Sequence, residues 1–188
     1  MKKATIIFII LLVLIIMSGC VDSNMFGLKI QNDEEVANVQ METFLRALEK
    51  RNTEEIASLF SSNTLKDVDD IQSAIDSLYS YYKGNYLSYD NWDATNTSTI
   101  REGSLFVKEI YGTYDVVTDA AVYRFAFLYV SHDSSSADNI GFRSIYIINM
   151  ADDTDPQFAY RGDNLYIPGI QIGVPNIIPD SFEFDDTE

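Results

Sequence analysis

The sequence predicts an α+β fold: N-terminal helices packed on a curved antiparallel sheet of about four strands. Three observations carry this. Apolar residues between positions 36 and 82 recur three and four apart, the period of one helix face. After Gly84 the period changes to two, among Tyr, Val and Thr. The helical segments come first and the strands follow, rather than alternating as in a parallel βαβ sheet. At 188 residues, 46% hydrophobic and 22% charged, the chain suits one folded domain and is too apolar to stay disordered.

Residues 36–51 form the first expected helix, with Ala37, Met41, Phe44, Leu45 and Leu48 on one stripe. Asp33, Glu34 and Glu35 precede it, and Lys50 and Arg51 close it, each the right sign for that end of the helix dipole. Thr53 is placed to cap a second helix that buries Ile56, Leu59 and Phe60. A third helix is expected from Asn63 or Thr64 through Leu65, Val68, Ile71, Ile75, Leu78 and Tyr82, with Gly84 as its stop. Strands are expected over 85–95 and 104–118, joined by a polar turn at 96–103, then over 121–130 and 140–150 around a loop at 131–139. In the third strand Tyr123, Phe125, Phe127 and Tyr129 point one way. Val122, Arg124, Ala126 and Leu128 point the other.

The chain begins with Lys2 and Lys3, followed by an apolar run from Ile6 to Met17 that is shorter than the about 20 residues a spanning helix needs. That reads as an export signal. It ends in Met17-Ser18-Gly19-Cys20, which resembles a bacterial lipobox. The resemblance implies diacylglycerol on the Cys20 thiol, cleavage before it, and a protein held by acyl chains on the extracytoplasmic face of the cell membrane. Loss of Lys2 and Lys3 would take the charge from −16 to −18, repelled by anionic headgroups. A tether from Val21 to Glu35 spans on the order of 20 Å, beyond the screening length of about 8 Å. The expected organisation is therefore signal 1–19, lipidated Cys and tether 20–35, domain 36–150, and a Pro-containing acidic tail 151–188.

Charge and composition exclude several functions. A net charge of −16 leaves no basic face for nucleic acid. One Cys allows no internal disulfide, and one His no multi-histidine metal site. No Ser–His–Asp order or phosphate-cradling glycine loop is present, so neither a catalytic set nor a cofactor is assigned.

The stretch VQMETFLRALEKRNTEEIASLFS, its Gly-terminated helix, and the run KEIYGTYDVVTDAAVYRFAFLYV…DNIGFRSIYII together resemble a family of Gram-positive lipoproteins with the nuclear-transport-factor-2-like, or cystatin-like, fold. The resemblance covers residues 36–150. It implies a cone of bent sheet with a pocket under the helices, in a superfamily whose members include isomerases, dehydratases, binding proteins and dimerising proteins.

Several residues are candidates for function. Tyr82, Tyr86, Tyr89 and Trp92, with Tyr79 and Tyr81 beside them, form an aromatic cluster suited to an apolar or carbohydrate ligand. Tyr111, Tyr114, Asp115 and Tyr123 are the groups nearest to an isomerase-like set, weighed against packing. His132 and Asp133 form an acid–base pair in sequence only, in a solvated loop, and Asp133, Asp138 and Asn139 are weak calcium candidates. Arg161-Gly162-Asp163 matches an integrin tripeptide, a pattern short enough to arise by chance. The leading expectation is a lipid-anchored extracytoplasmic binding or interaction module. The rivals are a small pocket isomerase or lyase on an apolar substrate, and a structural envelope protein pairing with another protein or a second copy.

Overall fold

The computed structural model describes residues 32–152 and 167–173, leaving Cys20, the apolar run and the Arg-Gly-Asp tripeptide outside the described residues. Of the chain's two units, 1–31 and 32–188, the described residues fall in the second. No helix among them is long and apolar enough to cross a membrane.

Helix α1 runs Asp33–Glu49. Its cap is Asn32, whose Oδ1 accepts from Glu35 N at 2.6 Å, so the three acidic residues form the first turn rather than a prelude. Helix α2 runs Thr53–Ser58, capped by Asn52 rather than Thr53. Asn52 Oδ1 accepts from Glu55 N at 3.1 Å, and its amide donates to Glu55 Oε2 at 3.0 Å, a reciprocal capping arrangement. Thr53 Oγ1 instead lies 3.3 Å from Tyr79 Oη.

The third expected helix is two helices, α3 (Ser62–Asp67) and α4 (Ile71–Tyr81). Val68 turns extended at φ −95° and ψ 126°, and Asp70 restarts the helix by accepting from Ser73 N at 3.0 Å. The three-and-four apolar rhythm runs through this break and conceals it. Helix α4 stops because Tyr82 is extended at ψ 117°. Gly84, at φ 86°, lies two residues further on and turns the chain into the sheet.

The sheet has five described strands in the order of the chain: β1 (Tyr86–Glu102), β2 (Leu105–Thr118), β3 (Val122–Asp133), β4 (Gly141–Asn149) and β5 (Gly169–Ile172). The first four pair antiparallel, matching the expected meander. The segment expected as a turn at 96–103 is mostly strand, and the reversal comes at Gly103, φ 60°. A polar edge strand with register shifts between Asn91 and Asn96 reads like a loop, which explains the discrepancy. β5 comes from the stretch set apart as a tail and pairs parallel to β4, with Ile170 opposite Ile145. Four residues flanked by prolines are too few to show a period.

Helix α1 lies over β1 and β2, and α4 lies against β5. Between helices and sheet, aromatic rings fill the interior. Phe142 is central: it meets Phe44, Phe60, Phe127 and Tyr129 with ring centroids 6.2, 6.0, 5.2 and 5.4 Å away. Tyr114 stacks on Phe127 at 5.8 Å. The alternation along β3 holds, with Tyr123, Phe125 and Phe127 in this core and Ala126 in a second cluster with Tyr146 and Ile148. That second face also carries Arg124, which grips Asp115 on β2 through Nε–Oδ1 at 2.6 Å and Nη2–Oδ2 at 2.8 Å.

Candidate binding seam

Helix α1 presents Asn38, Glu42 and Glu49 on one line, four and seven residues apart, to the start of β1. β1 answers with tyrosines. Tyr89 Oη donates to Glu42 Oε1 at 2.8 Å, and Tyr86 N donates to Glu49 Oε2 at 3.3 Å. Tyr114 Oη and the Asn91 amide both donate to Asn38 Oδ1, at 2.8 and 3.3 Å. The seam thus sets phenol, amide and backbone donors of the sheet against the carboxylates and amide of α1.

These phenols stay protonated. Burial pushes Tyr89 up to about 12, helped by its bond to Glu42. Burial and then Glu42 raise Tyr86. Tyr82 rises furthest, first through burial and then through the neighbouring Glu49. Neutral phenols can donate and accept, while the two glutamates supply the negative charge.

Tyr82 has a second peculiarity. It is 7% exposed, and its hydroxyl is buried with no hydrogen-bond partner. Glu49 is close enough to raise its pKa but misses hydrogen-bond geometry. Beside it lies a cavity of about 170 Å³, lined by Leu48, Glu49, Arg51, Tyr79, Tyr82 and the Gly84–Asn85 backbone turn. This volume is below the usual range of pockets for drug-sized ligands.

The structure therefore brings together three of the four sequence-predicted ligand residues, Tyr82, Tyr86 and Tyr89. Trp92 belongs to β1, but its side chain lies outside the described residues. Glu42, Glu49 and Arg51 were missed as site residues. The polar line of Asn38, Glu42 and Glu49 along α1, opposite its apolar stripe, is the signal that could have found the two glutamates.

The other candidates have structural occupations. Tyr114 is fully buried, Tyr111 donates to Glu109 at 2.8 Å, and Tyr123 Oη donates to Tyr81 O at 3.2 Å while accepting from Lys83 N at 2.8 Å. Asp115 holds Arg124. His132 rests against the Phe106 ring at 5.0 Å and makes no pair with Asp133. Asp133 accepts from Ser135 N, Ser135 Oγ and the Asn139 amide at 2.7, 2.5 and 2.7 Å, which occupies both its oxygens. A larger polar cavity of about 460 Å³ opens beside this loop, with Asp67, Glu109, Asp133 and Arg143 among its walls.

A comparison with curated proteins returned no match. Residues 43–150 match the model of a domain of unknown function, DUF5104, over more than half of the chain, and the chain belongs to that family.

Proposed function

We propose that this chain is a lipid-anchored binding module on the extracytoplasmic face of the cell membrane, held through Cys20 and built as a cystatin-like cone. The observation that carries the anchor is Ser18-Gly19-Cys20 at the end of an apolar run, with Cys20 the only cysteine in the chain. Two long acyl chains hold a protein durably where one would not, because each buried CH₂ is worth about 0.8 kcal/mol. The cone reading is supported by helices packed on a sheet whose first four strands are antiparallel and whose first strand is bulged.

Binding is favoured over a pocket enzyme by the interior. Aromatic rings fill the interior between helices and sheet, and among the described residues no Asp or Glu is buried there. Recognition then falls to the surface seam of α1 and β1. A second copy or an envelope protein remains the alternative partner, through the exposed Leu87 and Ile100 of β1, 61% and 43% exposed.

Fractionation of cells expressing the full chain tests the anchor. The wild type should sediment with membranes and need detergent for release. Cys20→Ala should appear unprocessed or in the medium. Mass spectrometry finding an unmodified Cys20 thiol in the mature wild type would refute the anchor.

A further inference from the structure

From the geometry around Tyr82 we infer that the cavity at the end of α1 binds a small free α-amino acid, glycine or alanine, as its zwitterion. This deepens the reading of the chain as a binding module and rests on it.

The first argument is charge. Glu49 and Arg51 line the same small cavity with opposite signs, yet they make no ion pair with each other, whereas Arg46 and Glu55 nearby do so at 3.6 Å. Two opposite charges that line one cavity without pairing suit a ligand that carries an ammonium and a carboxylate on the same carbon. The ammonium would donate to Glu49. The carboxylate would take the planar N–H fork of Arg51.

The second is the orphan hydroxyl. A buried phenolic oxygen without a well-formed hydrogen bond is unfavourable. A ligand that bonds it in this cavity removes that penalty, and Tyr82 Oη can donate to a carboxylate or accept from an ammonium.

The third is Arg51 itself. The helix ends in a Schellman motif, with Asn52 N on Ala47 O at 2.9 Å and Arg51 N on Leu48 O at 3.0 Å. Arg51 fills its left-handed position at φ 49°, the only positive φ at a non-glycine among the described residues. Glycine is the residue this backbone favours. An arginine there gives up stability locally, and what its side chain gains is a place over the Tyr79 ring, 5.3 Å from the centroid, at the cavity wall. Held there by the ring, the guanidinium lies where its N–H groups can serve a carboxylate in the cavity.

Size is the fourth. About 170 Å³ admits an amino acid with a small side chain against Leu48 and Tyr79, but not a nucleotide or a disaccharide.

Calorimetric titration of the purified full chain in detergent, with glycine and alanine, tests this. Methylamine and acetate serve as single-charge comparators. Glycine or alanine should bind one to one, at least about tenfold tighter than either comparator. Arg51→Gly should keep or raise the melting temperature and weaken binding about tenfold or more. Tyr82→Phe should also fold and weaken binding. No heat from glycine or alanine up to about 10 mM would overturn the inference. So would methylamine binding as tightly as alanine, or Arg51→Gly binding unchanged. The Cys20→Ala fractionation fails or succeeds independently, so a lost anchor and a lost ligand are told apart.

Discussion

Phe142→Ala is the sharpest probe of the packed interior. Phe142 is fully buried and touches four other rings, one from α1, one from the link between α2 and α3, and two from β3. Truncation removes its transfer free energy and leaves a void bounded by elements that cannot all close on it. Phe→Ala losses at such sites run about 3–5 kcal/mol. The ring pairs argue for the upper half, since each edge-to-face contact adds about 0.5–1.5 kcal/mol beyond area. For a chain of this size, about 4 kcal/mol corresponds to a fall in melting temperature of about 8–16 °C. Phe142→Leu keeps most of the volume and should lose less than about 1.5 kcal/mol. Urea unfolding followed by circular dichroism measures both. A loss below about 1 kcal/mol for the alanine variant would refute the argument, because it would mean the interior has slack. The placement of recognition on the surface seam would then lose its main support.

Two further outcomes follow from local chemistry. Asp133 is held down to about 2 by Ser135 and Asn139, below its ordinary 3.8. A depressed carboxyl stabilises the folded state above the unfolded value, and that stability disappears as pH falls from about 4 through about 2. Carbon-detected NMR titration should show the low midpoint, and Asp133→Asn should flatten this part of the stability–pH curve. On the second face of the sheet, Asp115→Ala leaves the buried Arg124 without its carboxylate and should be unfavourable by about 3 kcal/mol. Asp115→Leu with Arg124→Met should recover most of that. A double variant no better than the single would show that the pair is not the source of the loss.

What the sequence made legible was whatever repeats. The stripes of α1 and α4 and the alternation along β3 come from many residues, so a single exception does not spoil them. What it concealed was decided by one or two residues. Asp70 breaks a continuous apolar rhythm into two helices because its carboxylate caps better than it propagates. Asn52 displaces Thr53 as a cap by a shift of one position. β5 has no period of its own and is a strand only because β4 offers it an edge. At the candidate site the tyrosines were visible as a cluster. Their acidic partners were not, because nothing in the order of the chain says that position 42 meets position 89.

β5 also bears on when the molecule can be finished. Gly169 lies against Val68, so close that a β-carbon there would come within 2.8 Å of the valine side chain, and Ile170 enters the same core as Ile75. These contacts join parts of the chain about a hundred residues apart, the kind of long closure that slows folding. Until residue 173 is available, Tyr146 lacks the Gly173 carbonyl its hydroxyl bonds, and one edge of β4 stays open. Helices and meander can assemble as the chain emerges, but the core closes only once β5 has been made. A chain interrupted after β4 would carry an unpaired sheet edge beside an uncovered helix, and its characteristic failure would be association with another incomplete copy.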